Sequence, residues 1–199
     1  TPRFTGALIL GVPGTPDDFA CVRLQLADGR ELRYTDVRRL GTFAVRSTGD
    51  LTVWSETIGP EPLDPEFTTE RLSECLRGSK RAVKAVLMDQ KRLAGVGNIY
   101  ANEALWLAGI RPARRSRAVT RAQCAALHRE LTGVLRAAVV ARGTSFRDYR
   151  DAFGVRGGFA SQLKVYGRGG QPCERCGALL QSSHAIGGRA TVWCRSCQQ

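Results

Sequence analysis

Four cysteines near the end of the chain carry the clearest chemistry. Cys173 and Cys176 are separated by two residues, as are Cys194 and Cys197, and seventeen residues lie between the pairs. Two Cys-x2-Cys knuckles at that separation supply four thiolates in a tetrahedron, the arrangement zinc prefers. Protein fills all four positions, so no open site is left to activate water, and one structural Zn2+ is expected. The alternative is a pair of disulfides, which an intracellular setting disfavours. His184 lies between the knuckles. It suits a solvent-facing or supporting place better than a ligand's.

A second group is rich in amides and cations. Gly95-Val96-Gly97-Asn98-Ile99-Tyr100 joins a tight glycine turn to the start of a helix. Free backbone N–H groups and the positive helix end favour an anion there. Asn98 adds a side-chain donor. Lys84, Lys91 and Arg92 stand close in sequence and make a nucleic-acid phosphate the expected anion. For Lys84 alone, a solvated helix face is the ordinary alternative. The lone cysteines Cys21, Cys75 and Cys124 lie in apolar surroundings and are expected as buried small hydrophobes.

The whole chain agrees with an anionic partner. Its 199 residues suffice for one large domain or two small ones. The net charge is +12, and the basic residues are 26 arginines against 4 lysines. That balance favours DNA, RNA or an anionic membrane surface, and the arginine fork matches paired phosphate oxygens. No apolar run approaches the ~20 residues that span a bilayer, and no signal-peptide pattern opens the chain. A soluble intracellular protein is expected, with no membrane partner.

These residues must be positioned by a mixed α+β chain. The first fifty residues read as β: a run at Ala7 to Val12, alternation through Val22, Leu24 and Leu26, a turn at Asp28-Gly29, and a return through Leu32 and Tyr34. Gly41 to Val45 reads as a further strand. Prolines and glycines then mark a linker. Asp64-Pro65 predicts a helix to about Leu76, and Ser79 predicts a cap for the next. A helix from Asn98 stops at Gly109, a left-handed cap. A turn-rich stretch with Arg111, Arg114, Arg115 and Arg117 follows. Thr120 with Gln123 forms a capping box for a long helix ending at Gly143. Residues 153–159, with three glycines, are expected to be mobile. The stretch between the knuckles suits a β-hairpin with Arg189 near its tip. Helix, two basic turns and helix make an arrangement that grips a nucleic-acid backbone rather than reading bases.

With these residues in place the chain resembles the formamidopyrimidine-DNA glycosylase and endonuclease VIII family. The carriers are KAVLMDQKRLAGVGNIYANEALWLAGIRP, VYGRGGQPCERCG with GGRATVWCRSCQ, and DGRELRYTDVRRLGTF. The formamidopyrimidine branch fits best, because MDQK, GVGNIYANE and a four-cysteine finger go together there. The resemblance implies a partial N-terminal β-sandwich over 1–50, a linker over 51–63 and a helix–two-turns–helix domain over 64–150. It further implies a flexible lesion-loop segment over 151–165 and a zinc-finger β-hairpin over 166–199. It implies base excision repair, with glycosylase and AP-lyase chemistry on oxidised purines, double-stranded damaged DNA as partner, a monomer, and a cytoplasmic, nucleoid-associated place.

By the same resemblance Lys84, Asn98, Tyr166 and Arg189 hold phosphates around the damaged nucleotide. Arg38 enters the gap left when that nucleotide flips out. Leu40 stands where the family usually has an intercalating Phe, and Phe4 where it usually has a Met. Arg147 is a basic position in the loop that closes over the extruded base. The family's N-terminal proline, the glutamate after it and a hairpin lysine have no counterpart here. Pro2 is acylated by Thr1 and followed by Arg3, so its nitrogen has no lone pair for attack. The expectation is that this polypeptide by itself lacks the glycosylase and lyase steps. A reading from another class, a non-catalytic RNA- or DNA-binding zinc protein, rests on the charge and the knuckles alone.

Overall fold

The computed structural model describes residues 6–146 and 150–199. The chain divides into two compact units, Thr1–Ser47 with Ala137–Gln162, and Thr48–Arg136 with Leu163–Gln199. Among the described residues no helix is long and apolar enough to cross a membrane.

In the first unit, β1 (Gly6–Gly11), β2 (Ala20–Gln25) and β3 (Glu31–Asp36) form an antiparallel sheet in the order β1-β3-β2. The Asp28-Gly29 turn closes the β2–β3 hairpin as its sequence signals. Gly29 takes a φ of +82°, which a side chain would resist, and the Leu26 N–H donates to the Arg30 carbonyl at 2.9 Å. The alternation sorts differently from expectation: Leu32 is half-buried, while Glu31, Arg33, Tyr34 and Asp36 are buried. This middle strand pairs its charges locally, although the Arg33 Nε is left without a hydrogen bond among the described residues. Arg23 and Arg33 flank Glu31 at 2.8 and 3.8 Å, and Arg33 donates to the Thr15 carbonyl at 2.9 Å.

Cys21 is exposed rather than buried, because the register slips between Ala20 and Val22 and the extra residue turns outward. Residues 41–45, expected as a strand, are irregular. Phe43 leaves the ladder and stacks on Tyr34 with ring centroids 5.9 Å apart. The glycine stretch at 153–159, expected as mobile, is tied back at several points. Gly158 N–H donates to the Ala141 carbonyl at 2.8 Å, and the Asp151 carboxylate accepts from the N–H groups of Phe153 and Val155 at 3.0 and 2.8 Å. Gly157 has to be glycine: a Cβ there would stand 2.3 Å from the Gly143 carbonyl oxygen.

The second unit opens with α1 (Thr48–Glu56), a helix that buries none of its residues, where a linker was expected. The proline-rich irregular chain begins only after it. Next, α2 (Thr69–Leu76) starts later than expected. Its cap is Thr68, whose hydroxyl accepts from the Arg71 N–H at 3.2 Å, whereas Asp64 closes a separate turn by accepting from the Glu66 N–H. One turn of helix, α3 (Val83–Leu87), follows. Ser79 does not cap it; its hydroxyl accepts from Arg81 N–H before the helix begins, and the cap position is Ala82.

The remaining helices follow their signals. α4 (Asn98–Leu107) ends at Gly109, with φ +70°, and the Ile110 N–H closes on the Leu105 carbonyl at 2.9 Å. Two turns carry Arg111, Arg114, Arg115 and Arg117. Then α5 (Arg121–Val140) opens with the expected reciprocal cap: Gln123 N–H donates to the Thr120 hydroxyl at 3.2 Å, and Thr120 N–H to the Gln123 side chain at 3.1 Å. The helices share one core in which Leu72, Leu87, Leu105, Ile110, Leu127 and Leu131 are buried completely or nearly so. At the end, β4 (Gln181–Ser183) and β5 (Thr191–Trp193) pair as an antiparallel hairpin.

Candidate nucleic-acid interface and metal centre

The glycine turn is built by Gln90. Its side-chain carbonyl accepts from the Gly95 N–H at 2.9 Å, and its amide donates to the Val96 carbonyl at 3.1 Å. Gly95 takes a φ of +71°, which delivers the chain to Gly97, the cap residue of α4. Among the described residues no side chain caps that helix, which leaves the first amides at its positive end without a capping partner.

Lys84 does not lie on a solvated helix face. It is fully buried on α3. Its ammonium donates to the Ala190 carbonyl at 2.8 Å and to the Thr191 hydroxyl at 2.7 Å. Two of its three N–H groups are thus spent on the two residues that follow Arg189. Burial, and the Arg189 guanidinium beside it, bring its pKa down to about 8.

Asn102 completes the junction. Its amide donates to the Asn98 carbonyl at 2.7 Å and to the Ala190 carbonyl at 3.3 Å, and its side-chain oxygen accepts from the Val192 N–H at 2.8 Å. One buried side chain on α4 therefore ties the helix start to the hairpin. Arg189 is exposed in the turn between β4 and β5, where Gly187 and Gly188 both take positive φ. The structure brings Lys84, Asn98 and Arg189 together around this junction.

The Tyr166 backbone is held from the next residue of α4. The buried Glu103 carboxylate accepts from three successive backbone N–H groups, of Lys164, Val165 and Tyr166, at 2.8, 3.0 and 2.7 Å. Arg38 and Leu40 belong to the first unit, on an exposed loop after β3. Arg147 and Phe4 lie outside the described residues. Sequence reading singled out Lys84, Asn98, Tyr166 and Arg189 but not Gln90, Asn102 and Glu103, which shape the segments that carry them. Their types carry no spacing signal, and only the fold gives them partners.

The sulfurs of Cys173, Cys176, Cys194 and Cys197 all lie within 4.8 Å of one another, and Cys176 and Cys194 stand 3.5 Å apart. A tetrahedron with ~2.3 Å bonds needs about 3.8 Å between sulfurs, so the group could hold one metal ion with little adjustment. None of the four is in a disulfide, and His184 is exposed and outside the group. The Trp106 indole N–H is buried without a hydrogen bond among the described residues, and the group whose ionisation it favours is the Cys173 thiol. A metal-bound thiolate gives that orphaned donor an acceptor.

The cluster is clamped to the helices. Arg175 stacks over the Trp106 ring at 4.0 Å and donates to the Trp106 and Leu107 carbonyls. Gln198, buried, donates to the Ile110 carbonyl and accepts from the Cys194 N–H, both at 2.8 Å.

Fold and site together define the helix–two-turns–helix class with a C-terminal four-cysteine hairpin. Residues 58–150 match the family model described as the formamidopyrimidine-DNA glycosylase H2TH domain. The formamidopyrimidine-DNA glycosylase of Desulfitobacterium hafniense is 41% identical, over 98% of this chain and 72% of the relative. Among solved structures, the complex between the Lactococcus lactis Fpg and an abasic site containing DNA is similar with a TM-score of 0.88 and 34% identity, over 99% of this chain and 73% of that one. The MutM (Fpg) protein of Thermus thermophilus gives 0.85 and 38%, over 98% and 73%. The chain belongs to the formamidopyrimidine-DNA glycosylase family.

Proposed function

We propose that the chain grips damaged duplex DNA in base excision repair, as part of glycosylase and AP-lyase action on oxidised purines, with one structural Zn2+ on Cys173, Cys176, Cys194 and Cys197. The observation that carries this reading is the junction at Lys84 and Asn102. Two cations, Lys84 and Arg189, are held side by side at the open end of α4. Such a pair repels itself, and a phosphate placed between them relieves the repulsion. Lys84 lends its buried charge from beneath, Asn98 and the first amides of α4 add donors, and Arg189 offers a fork. Tyr166, fixed through Glu103, is assigned to the neighbouring phosphate.

Zinc would supply charge neutralisation to four thiolates and much of the folding energy of the hairpin. The hairpin in turn carries Arg189 and the acceptors of Lys84. In the first unit Arg38 is assigned to the gap beside the orphaned base and Leu40 to a wedge smaller than phenylalanine, with Arg147 assigned to the lesion loop. The protein is assigned a monomer's role.

The test is binding to a duplex with an abasic-site analogue across a salt series. Affinity is expected to fall with a log–log slope of about −0.9 per phosphate neutralised. Arg189→Ala is expected to make that slope shallower by about one unit and to weaken binding to all sequences alike. Competition with structured RNA separates the second reading: preference for RNA would replace the repair role with that of an RNA-binding zinc protein.

A further inference from the structure

We propose that Asp36 is the positioning residue of the Arg38–Leu40 loop, pinning its two ends so that discrimination of a gapped duplex from an intact one depends on its carboxylate. The proposal rests on the reading that Arg38 and Leu40 probe the gap.

Asp36 ends β3 and is 1% exposed. Its two carboxylate oxygens reach both ends of the loop that follows. Oδ1 accepts from the Arg38 N–H at 3.3 Å, and Oδ2 accepts from the Gly41 N–H at 2.7 Å and from the Tyr34 hydroxyl at 3.4 Å. The backbone joins in: Asp36 N–H donates to the Phe19 carbonyl at 3.0 Å, and the Arg39 N–H donates to the Asp36 carbonyl at 3.2 Å. Between these ties Arg39 is forced to a φ of +50°, a conformation that costs a residue with a Cβ and persists only where its surroundings impose it. The result is a pinched loop whose residues 37–40 are all exposed, Leu40 by 47%. A half-exposed leucine and a strained arginine beside it are costly for this unit taken by itself. They fit a tip kept ready for an apolar and cationic contact outside it.

The chemistry of the carboxylate is specific. It offers an acceptor at each oxygen, and both backbone donors are fixed. An asparagine can turn its one carbonyl toward Gly41 or toward Arg38, and its NH2 then meets an N–H at the other end. Asp36→Asn therefore keeps volume and burial while releasing one end of the loop. Tyr34→Phe removes only the hydroxyl contact and leaves both backbone ties.

The experiment measures affinity for two duplexes, one with a tetrahydrofuran abasic analogue and one intact, for the full chain and for Arg38→Ala, Asp36→Asn and Tyr34→Phe. Arg38→Ala and Asp36→Asn are expected each to lower the abasic-over-intact preference by about tenfold, the worth of one charge-assisted hydrogen bond. For Asp36→Asn the affinity for the intact duplex and its salt slope are expected to stay unchanged, and Tyr34→Phe is expected to keep the preference. If Arg38→Ala lowers the preference while Asp36→Asn leaves it alone, or weakens both duplexes equally, the positioning role is overturned and the probing loop stands. If Arg38→Ala leaves the preference unchanged, the probing loop itself falls and the Asp36 role with it.

Discussion

Lys84 offers a pH-dependence of binding that can be worked out from the structure. In the free protein burial and Arg189 lower its pKa from the ordinary 10.5 to about 8. Its charge is therefore about nine-tenths present at pH 7 and about one-tenth present at pH 9. A phosphate seated between Lys84 and Arg189 favours the ammonium and raises the bound-state value. If binding restores 10.5, proton linkage makes the affinity about tenfold weaker at pH 9 than at pH 7. The sign for folding runs the other way. A lysine whose folded pKa is depressed carries a penalty that is full below about 8 and vanishes as pH rises to 10.5; the gap corresponds to about 3 kcal/mol. The assay is fluorescence anisotropy on an abasic-analogue duplex from pH 6.5 to 9.5 at fixed ionic strength, with Lys84→Met as reference. Other groups titrate in that window and appear in both profiles, so the difference between them isolates Lys84. Parallel profiles would refute the reasoning, because they would mean that the Lys84 ammonium does not meet the phosphate.

Three further outcomes are expected. Cys194→Ser, or exhaustive chelation, is expected to remove one zinc per chain by elemental analysis and to abolish binding, since β5 carries the acceptors of Lys84; retained binding without metal would contradict the structural role. Thr120→Ala is expected to cost about 1 kcal/mol in denaturant unfolding, because it breaks one half of the cap on α5. Glu103→Gln turns an NH2 toward backbone donors and is expected to cost about 1–3 kcal/mol, with a loss of duplex affinity that tracks Tyr166→Phe.

How far the sequence could be read depended on whether a residue's partner lay nearby. The Thr120–Gln123 cap, the Gly109 stop and the Asp28-Gly29 turn each involve partners within a few residues and took the expected form, and the regular Cys-x2-Cys spacing brought four thiols close enough to share an ion. Boundaries shifted where two local signals competed. Asp64-Pro65 looked like a helix start but made its own turn, and Thr68 took the cap. Lys84 looked like a surface lysine because α3 is too short to show a buried face. Its acceptors lie more than a hundred residues away. The same distance hid Asn102 and Glu103, which act on segments 61 to 90 residues downstream. The polar burial of β3 was invisible for another reason: alternation marks Leu32 and Tyr34 as one face but does not say that Arg23 and Thr15 will satisfy Glu31 and Arg33.

The most direct measurement is a double-mutant cycle on duplex binding with Lys84→Met, Arg189→Ala and the pair together. If both cations meet one phosphate, the double variant is expected to lose less than the sum of the singles, with a coupling of about 0.5–3 kcal/mol. Losses that add within error would show two side chains acting on separate phosphates and would contradict the shared site.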